Sequence, residues 1–462
     1  MQKIMMDTDL KRRRLLKATA AATALPALQA CAPSAPVVPQ NHWSNWSGSQ
    51  QSLPRHWLKP RDETELIAAI RKSESGLRVT GASHSFSALC KTDDSLLCLD
   101  HLSGVISHDA GKLQATVWAG TRLRDLGEPL WDLGQGLINQ GDVDPQAVAG
   151  ACGTSTHGTG ITLGSFSSVM RGVRLITADG EVIEASAARD SEVYQAARTS
   201  LGALGIASQI TLQNRARYSL HEREYAEDFE SVMQNLEKNI RENRHYEFWV
   251  FFGTDAALVK VLNETDRDPT APSAIELPVD AVLQAACEVA HGARMFDHAM
   301  QKLLMLLHTD VERVGRSHKI FPSPRKVRFN EMEYELPLAQ GPDCLREILE
   351  AVKLKKLNTL FPIEYRSVAA DDAWLSPFYG RDSASISIHQ FHEVDYKPLF
   401  AALEPIFWKY GGRPHWGKLH TLTARQLAPL YPRWDDWQRL RRRLDPRGKF
   451  LNAHLRTILE GA

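Results

Sequence analysis

The sequence predicts an α+β protein of two domains, and three observations carry that prediction. At 462 residues the chain is too long for one ordinary core. Up to about residue 216, short strands and helices alternate with glycine-rich turns between them. From Tyr218 onward the texture changes to longer aromatic and alternating strands, which sets a domain boundary near residue 217.

Composition narrows the classes. Lys plus Arg and Asp plus Glu are 55 each, so the formal net charge is zero and no nucleic-acid partner is expected. Hydrophobic residues at 43% and charged residues at 24% describe a globular chain rather than a disordered one. Eleven Trp supply large flat surfaces, suited to cores and to the walls around a planar ligand.

The elements follow in order. Lys11 to Lys17 is basic and includes Arg12-Arg13-Arg14, and Ala18 to Ala30 is uncharged and rich in Ala and Leu. This order reads as an export signal over residues 1–31, of the twin-arginine type. Leu28-Gln29-Ala30-Cys31 resembles a lipobox, which makes Cys31 the expected lipid anchor on the periplasmic side of a membrane. Residues 32–42, with Pro33, Pro36 and Pro39, form an extended tether. A first domain is expected over 43–217 and a second over 218–462.

In the first domain, Asp62-Glu63-Thr64-Glu65 starts a helix that runs toward Gly76. Leu77 to Thr80, Leu96 to Leu99, and Leu113 to Val117 read as strands, and Thr121 to Leu133 as a helix. Val173 to Ala178 and Glu181 to Glu184 flank an Asp179-Gly180 hairpin turn, and Ile206 to Leu212 is a further strand. In the second, His245 to Phe252, Arg325 to Glu333, Ile363 to Val368, and Ser383 to Phe391 read as strands. Ala281 to Leu307 is apolar at helical spacing. Beyond Cys31, five cysteines remain: Cys90, Cys98, Cys152, Cys287 and Cys344. An odd number excludes complete pairing, and without a C-x-x-C no zinc site is expected. Cys90 and Cys98 either pair or remain buried thiols.

Two glycine-rich loops carry the first chemical signal. Thr80 to Ser87 follows a strand and offers Gly81, Ala82, Ser83, His84, Ser85 and Phe86. Small residues there let backbone N–H groups approach an anion. Gly150 to Gly160 offers Gly150, Gly153, Thr154, Ser155, His157, Gly158 and Gly160. Neither loop fits the Rossmann fingerprint or the P-loop. Together they point to a phosphate-bearing cofactor.

These stretches, with Gly141-Asp142-Val143-Asp144-Pro145 and Ser200 to Gly205, resemble the FAD-binding (PCMH-type) domain of the vanillyl-alcohol oxidase family. Arg413 to Lys418 and Asp445 to Asn452 resemble its sugar-lactone and alditol oxidase branch. The resemblance implies two α+β subdomains with FAD between them and an α+β cap domain over the flavin. It also implies that about 440–462 return to the first domain, and that His84 is bonded covalently to the flavin. It assigns Glu364, Arg366, His389 and Lys418 to the substrate side. Glu364 and Arg366 are two apart, so on a strand they share a side. Glu364 is expected to hold substrate hydroxyls and orient Arg366, and Arg366 to supply fixed positive charge. His389, or Lys418 with a lowered pKa, is the expected base, and Lys418 also a candidate for fixed charge. His415 and His420 are weaker candidates. The implied activity is oxidation of a sugar lactone or polyol, with O2 or a respiratory carrier taking the electrons. The reading outside enzymology is a periplasmic sugar-binding lipoprotein, which would be colourless.

Overall fold

Capping and charge fix the first helix, Glu63–Lys72. The side chain of Asp62 accepts the N–H of Glu65 at 2.8 Å, acids fill the first turn and Arg71 and Lys72 the last. Its buried face, Leu66 and Ile70, packs into the core of the first domain. The computed structural model describes residues 41–270, 284, 287–288, 297–323 and 326–461. The expected export signal, Cys31 and residues 32–40 of the expected tether lie outside them.

After a two-stranded ribbon of Trp43–Ser44 and Gln51–Ser52, three larger sheets follow one another along the described residues. The first is parallel, with β2 (Leu77–Thr80) and β1 (His56–Leu58) on either side of β3 (Ser95–Cys98). The second contains β4 (Val105–Asp109), β5 (Gln114–Trp118), β6 (Gln135–Leu137), β7 (Met170–Ile176), β8 (Val182–Ser186) and β9 (Ile206–Ala216). Its order is β8-β7-β9-β5-β4, with β6 also on β9. The third has eight strands in the order β13-β10-β12-β11-β15-β16-β14-β17. They are β10 (Ser219–Asp228), β11 (His245–Val250), β12 (Ala256–Thr265), β13 (Val311–Arg316), β14 (Phe329–Pro337), β15 (Ile363–Val368), β16 (Ser383–Phe391) and β17 (Arg413–Pro414). The chain passes from the second sheet to the third at Arg217 and Tyr218.

Some elements differ from expectation. The stretch Thr121 to Leu133 divides into a 3-10 turn, Leu123–Asp125, and a short helix, Gly127–Asp132. Gly127 is fixed by a close approach, because a Cβ there would lie 2.5 Å from His318 Cδ2. The strand expected from Arg325 starts at Phe329 and runs on to Pro337. Of the apolar run Ala281 to Leu307, Asp297–Leu307 is described as a continuous helix. Cys90 and Cys98 are free thiols, not a disulfide. Among the described residues, no helix is long and apolar enough to cross a membrane.

The third sheet is two-faced because β14 alternates strictly. Met332, Tyr334 and Leu336 join the apolar core, where Tyr334 stacks on Phe407 of the helix Lys397–Lys409 at 4.8 Å. Glu331, Glu333 and Glu335 alternate with them, so they project from the opposite face, and all three are buried. That second face meets the first domain. Gly160 donates its N–H to Ser367 O at 2.7 Å, and Thr159 its hydroxyl to Tyr246 O at 2.7 Å.

Residues 445–452 return to the first domain. The N–H of Leu77 donates to Lys449 O at 3.0 Å. Lys449 Nζ donates to Ile70 O at 2.9 Å and to Ala178 O at 2.7 Å. Buried Arg78 donates to the carbonyls of Leu89, Leu201, Gly202 and Phe450.

Candidate active site

The first loop leaves β2 at Thr80. Among the described residues, no acceptor takes the backbone N–H groups of Ala82, Ser83, His84 and Ser85. Ser83 has φ +57°, a left-handed turn that allows such N–H groups to converge. Its hydroxyl is held by Trp43 Nε1 at 3.0 Å and Thr80 Oγ1 at 2.9 Å. The hydroxyl of Ser87 donates to Trp416 O at 2.9 Å. The loop therefore offers a ligand its backbone more than its hydroxyls. A Cβ on Gly81 would sit 3.0 Å from Ala147 Cβ and 3.5 Å from Arg122 Nη1, a buried donor without a hydrogen-bond partner. His84 stacks on Trp46 at 5.0 Å. Burial, reinforced by the nearby Lys418 charge, lowers its pKa to about 4, so the imidazole is neutral.

The second loop divides its labour. Gly150 has open space where a side chain would be. Thr154 donates its hydroxyl to Gly150 O at 3.0 Å. Ser155 turns into the core, bonded to Ser167 at 2.9 Å and Thr199 at 2.8 Å, so its side chain faces away from any ligand. Gly153 is also buried. A Cβ on Gly158 would lie 2.0 Å from Gln140 O, and one on Gly160 2.6 Å from Arg244 O. These glycines serve close packing against neighbouring backbone.

His157 is not directed at an open cofactor space. Its Nε2 lies 2.8 Å from Glu333 Oε1 and 3.5 Å from Glu335 Oε1, while Nδ1 lies 2.8 Å from Gly158 O. Both nitrogens face acceptors, so both must donate, and the ring is an imidazolium. Burial opposes that charge, but Glu335 and Glu333 outweigh it and raise the pKa to about 9. Burial raises the pKa of Glu335, whereas Arg366, Lys418 and His157 overcome burial to hold Glu333 well below the usual carboxylate range.

The predicted substrate residues meet at the other end of the same face. Lys418 Nζ lies 2.5 Å from Glu331 Oε2 and 3.3 Å from Glu333 Oε2. His389 Nε2 lies 3.5 Å from Glu331 Oε1. Arg366 donates to Glu333 at 2.9 Å and sits 3.4 Å from Glu364. Its tighter carboxylate partner is thus Glu333 rather than the expected Glu364. Burial opposes the charge on Lys418, yet Glu331 and Glu333 prevail and raise its pKa. Lys418 is therefore a fixed cation and not the base with a lowered pKa that was one sequence expectation. Burial likewise opposes ionisation of Glu331, but Lys418 and His389 bring it down to about 2. His415 is buried and held neutral by that burial, and its Nδ1 accepts the N–H of Gly417 at 3.0 Å. It shapes the turn that presents Lys418. His420 is half-buried and likewise held neutral by desolvation, 6.4 Å from the Trp416 ring.

Glu331, Glu333 and Glu335 were not singled out from the sequence, nor were Glu247 and Lys260. Their signal was present as Glu-x-Glu-x-Glu with Met332 and Tyr334 between, one face of one strand.

Residues 54–186 match the family model described as FAD binding domain, and residues 210–458 the model described as D-arabinono-1,4-lactone oxidase. The chain belongs to the D-arabinono-1,4-lactone oxidase family. An L-gulono-1,4-lactone dehydrogenase of Mycobacterium tuberculosis is 37% identical, covering 90% of this chain and 99% of its own. The L-gulonolactone oxidase of Bos taurus is 28% identical over 90% of this chain and 97% of its own. An alditol oxidase of a Streptomyces species is 29% identical over 90% and 99%. A solved solvent-stable cholesterol oxidase superposes with a TM-score of 0.77 at 16% identity, covering 90% of this chain and 96% of that one, which shows the fold. In this member of the lactone oxidase family, the free N–H row of the first loop and the unpaired Arg122 Nη1 fit the pyrophosphate of FAD.

Proposed function

We propose that this protein oxidises a hydroxyl-bearing carbon of a sugar-1,4-lactone of the arabinono- or gulono-lactone type, with FAD as hydride acceptor and an alditol as the alternative substrate. The observation that carries the reading is the buried cluster of Lys418, Glu331, His389, Glu364 and Arg366, presented by the cap sheet toward the two cofactor loops. When bound, FAD supplies an acceptor for the hydride at N5. Lys418 and Arg366 hold fixed positive charge where negative charge develops on the substrate oxygen. Glu331 and Glu364 accept hydrogen bonds from substrate hydroxyls, and His389 takes the proton of the reacting one. A lactone dense in hydroxyls suits this polar wall better than an apolar substrate would.

The neutral imidazole of His84 supports a covalent flavin link, because only an unprotonated nitrogen has the lone pair to form it. Electrons then pass to O2 or to a respiratory carrier. Export through the Arg12-Arg13 signal and anchoring at Cys31 would place the protein at the periplasmic face, which favours the carrier.

The test is an anaerobic screen of aldono-1,4-lactones and alditols against the yellow protein, following flavin bleaching. Bleaching by a lactone supports the reading, and peroxide formation after air is admitted identifies an oxidase. Absence of bleaching by every lactone and alditol rejects it.

A further inference from the structure

We propose that Glu364, Glu247 and Asp142 form a chain of carboxyl groups that carries the proton lost by the substrate hydroxyl from the active site to solvent. The proposal rests on the hydroxyl-oxidation reading above and adds a route that reading does not contain.

Glu364 is the shared vertex of two clusters, one fully buried and one that reaches the partly exposed Asp142. Its carboxylate lies with Glu331 and His389 in a group whose polar atoms are all within 4.8 Å of one another. It lies equally with Glu247 and Asp142 in a second group within the same distance. The first group faces the reaction and the second leads away from it. Glu247 sits on β11 and Glu364 on β15, which pair directly, while Asp142 comes from the loop of the first domain that precedes the second glycine-rich loop.

Charge balance requires a proton in this second group. Lys260 Nζ, from β12, lies 3.3 Å from Glu247 and 3.5 Å from Asp142. Arg366 is 3.4 Å from Glu364 but is shared with Glu333. Glu333 has Lys418 and His157 as further partners, which leaves Lys260 and Arg366 facing three carboxyls: Asp142, Glu247 and Glu364. One carboxyl must stay neutral, since an unpaired buried carboxylate is costly. Glu247 is the one, because burial and then the charge of Asp142 push it up to about 8. A group poised there can both give and take a proton near neutral pH. Asp142 is the most exposed of the three and so the point of exit. The side chain of Glu247 is 1% exposed and that of Glu364 6%, while Asp142 reaches 12%.

The step balances as follows. The substrate C–H bond breaks and its hydrogen leaves as hydride to the oxidised flavin, which gains two electrons. The O–H bond breaks and its proton passes to His389 and then to Glu364. Glu364 passes a proton to Glu247, whose own proton moves to Asp142 and then to water. One proton reaches solvent per substrate oxidised, and each carboxyl regains its starting state.

Two measurements on the intact FAD-loaded protein test this. Infrared spectroscopy in H2O and D2O should show buried protonated carboxyl absorption at neutral pH, of which one component is lost in Glu247→Gln and kept in Glu364→Gln. That measurement needs no substrate, so its result stands whether or not the sugar-lactone reading survives. Rapid mixing with substrate and a pH-indicator dye should show flavin bleaching and proton release together in the wild type. In Glu247→Gln and Asp142→Asn the release should lag bleaching by ~10-fold or more, a separation that a merely structural role would not produce. Proton release in step with bleaching in both variants, or a carboxyl absorption left unchanged by Glu247→Gln, would overturn the proposal.

Discussion

Lys418 and Glu331 are joined at 2.5 Å across the join between the Trp416–Gly417 turn and β14. The amine is thereby pinned beside the first cofactor loop, 5.1 Å above the ring of Phe86. Its position is set by a carboxylate and its charge by two.

Removing that amine should slow the hydride step. Lys418→Met is expected to lower the rate of anaerobic flavin reduction by about 10²–10³-fold, the loss associated with one fixed group that stabilises an oxyanion. Glu331→Gln should have a smaller effect, because it loosens Lys418 without removing it. The double variant should fall short of the product of the two, since both act through one contact. A wild-type rate in Lys418→Met would mean that the site lies elsewhere.

Acid precipitation tests His84. The wild-type pellet should stay yellow and the protein mass should exceed that of the bare polypeptide by one FAD. His84→Ala should release its flavin to the supernatant. Release of all the flavin from the wild type would exclude the link.

The imidazolium at His157 makes stability pH-dependent. Its folded pKa, about 9, lies above the usual unfolded value of about 6.5. The stabilisation is therefore fully present below about pH 6.5 and is lost as pH rises through 9. Glu333 and Glu335 on β14 face this ring directly, with His415 at 5.7 Å between centroids. Denaturant titrations should show stability falling over that window in the wild type and a flatter profile in His157→Gln. Equal slopes for the two proteins would contradict the assignment.

Gly158 tolerates no side chain. A Cβ there would stand 2.0 Å from the carbonyl oxygen of Gln140, and backbone cannot swing aside as a flexible side chain can. Gly158→Ala should cost about 1–3 kcal/mol in stability and reduce the fraction of protein isolated with FAD. Gly150→Ala, which meets open space, should leave melting temperature near that of the wild type. A similar effect of the two substitutions on melting temperature would count against this packing argument.

The proposed export signal and anchor are tested by substitution within residues 1–31. Replacing Arg12 and Arg13 together by Lys should retain the protein in the cytoplasm, and Cys31→Ala should move it from the membrane to the soluble periplasmic fraction. Unchanged fractionation of either variant would reject the corresponding role.

Much of this architecture was legible in the sequence because local rules agree with the final fold. The acidic start of Glu63–Lys72, the Asp179-Gly180 hairpin and the strands Ile363–Val368 and Ser383–Phe391 needed only propensity and periodicity. The loop carrying His84 and the strand carrying Glu364 and Arg366 were legible too, through their resemblance to known motifs. The triple acid of β14 was not, because an alternating acidic strand is ordinarily a solvated face. It is buried here only because His157, Lys418 and Arg366, far apart in sequence, converge on it. The same holds for Glu247 and Lys260, whose burial depends on an Asp from the other domain. A charge that owes its partner to tertiary structure leaves no local mark.

The return of residues 445–452 to the first domain bears on how the protein is made. Arg78 is buried on β2, early in the first domain, and one of its acceptors is the carbonyl of Phe450. Lys449 likewise ties the end of the helix Glu63–Lys72 to the hairpin near Ala178. The amino-terminal domain is translated first but must wait for these closing contacts until more than two hundred further residues have left the ribosome. Its completion is a late event in synthesis, which makes a fragment ending at the boundary near residue 217 a poor substitute for the whole chain.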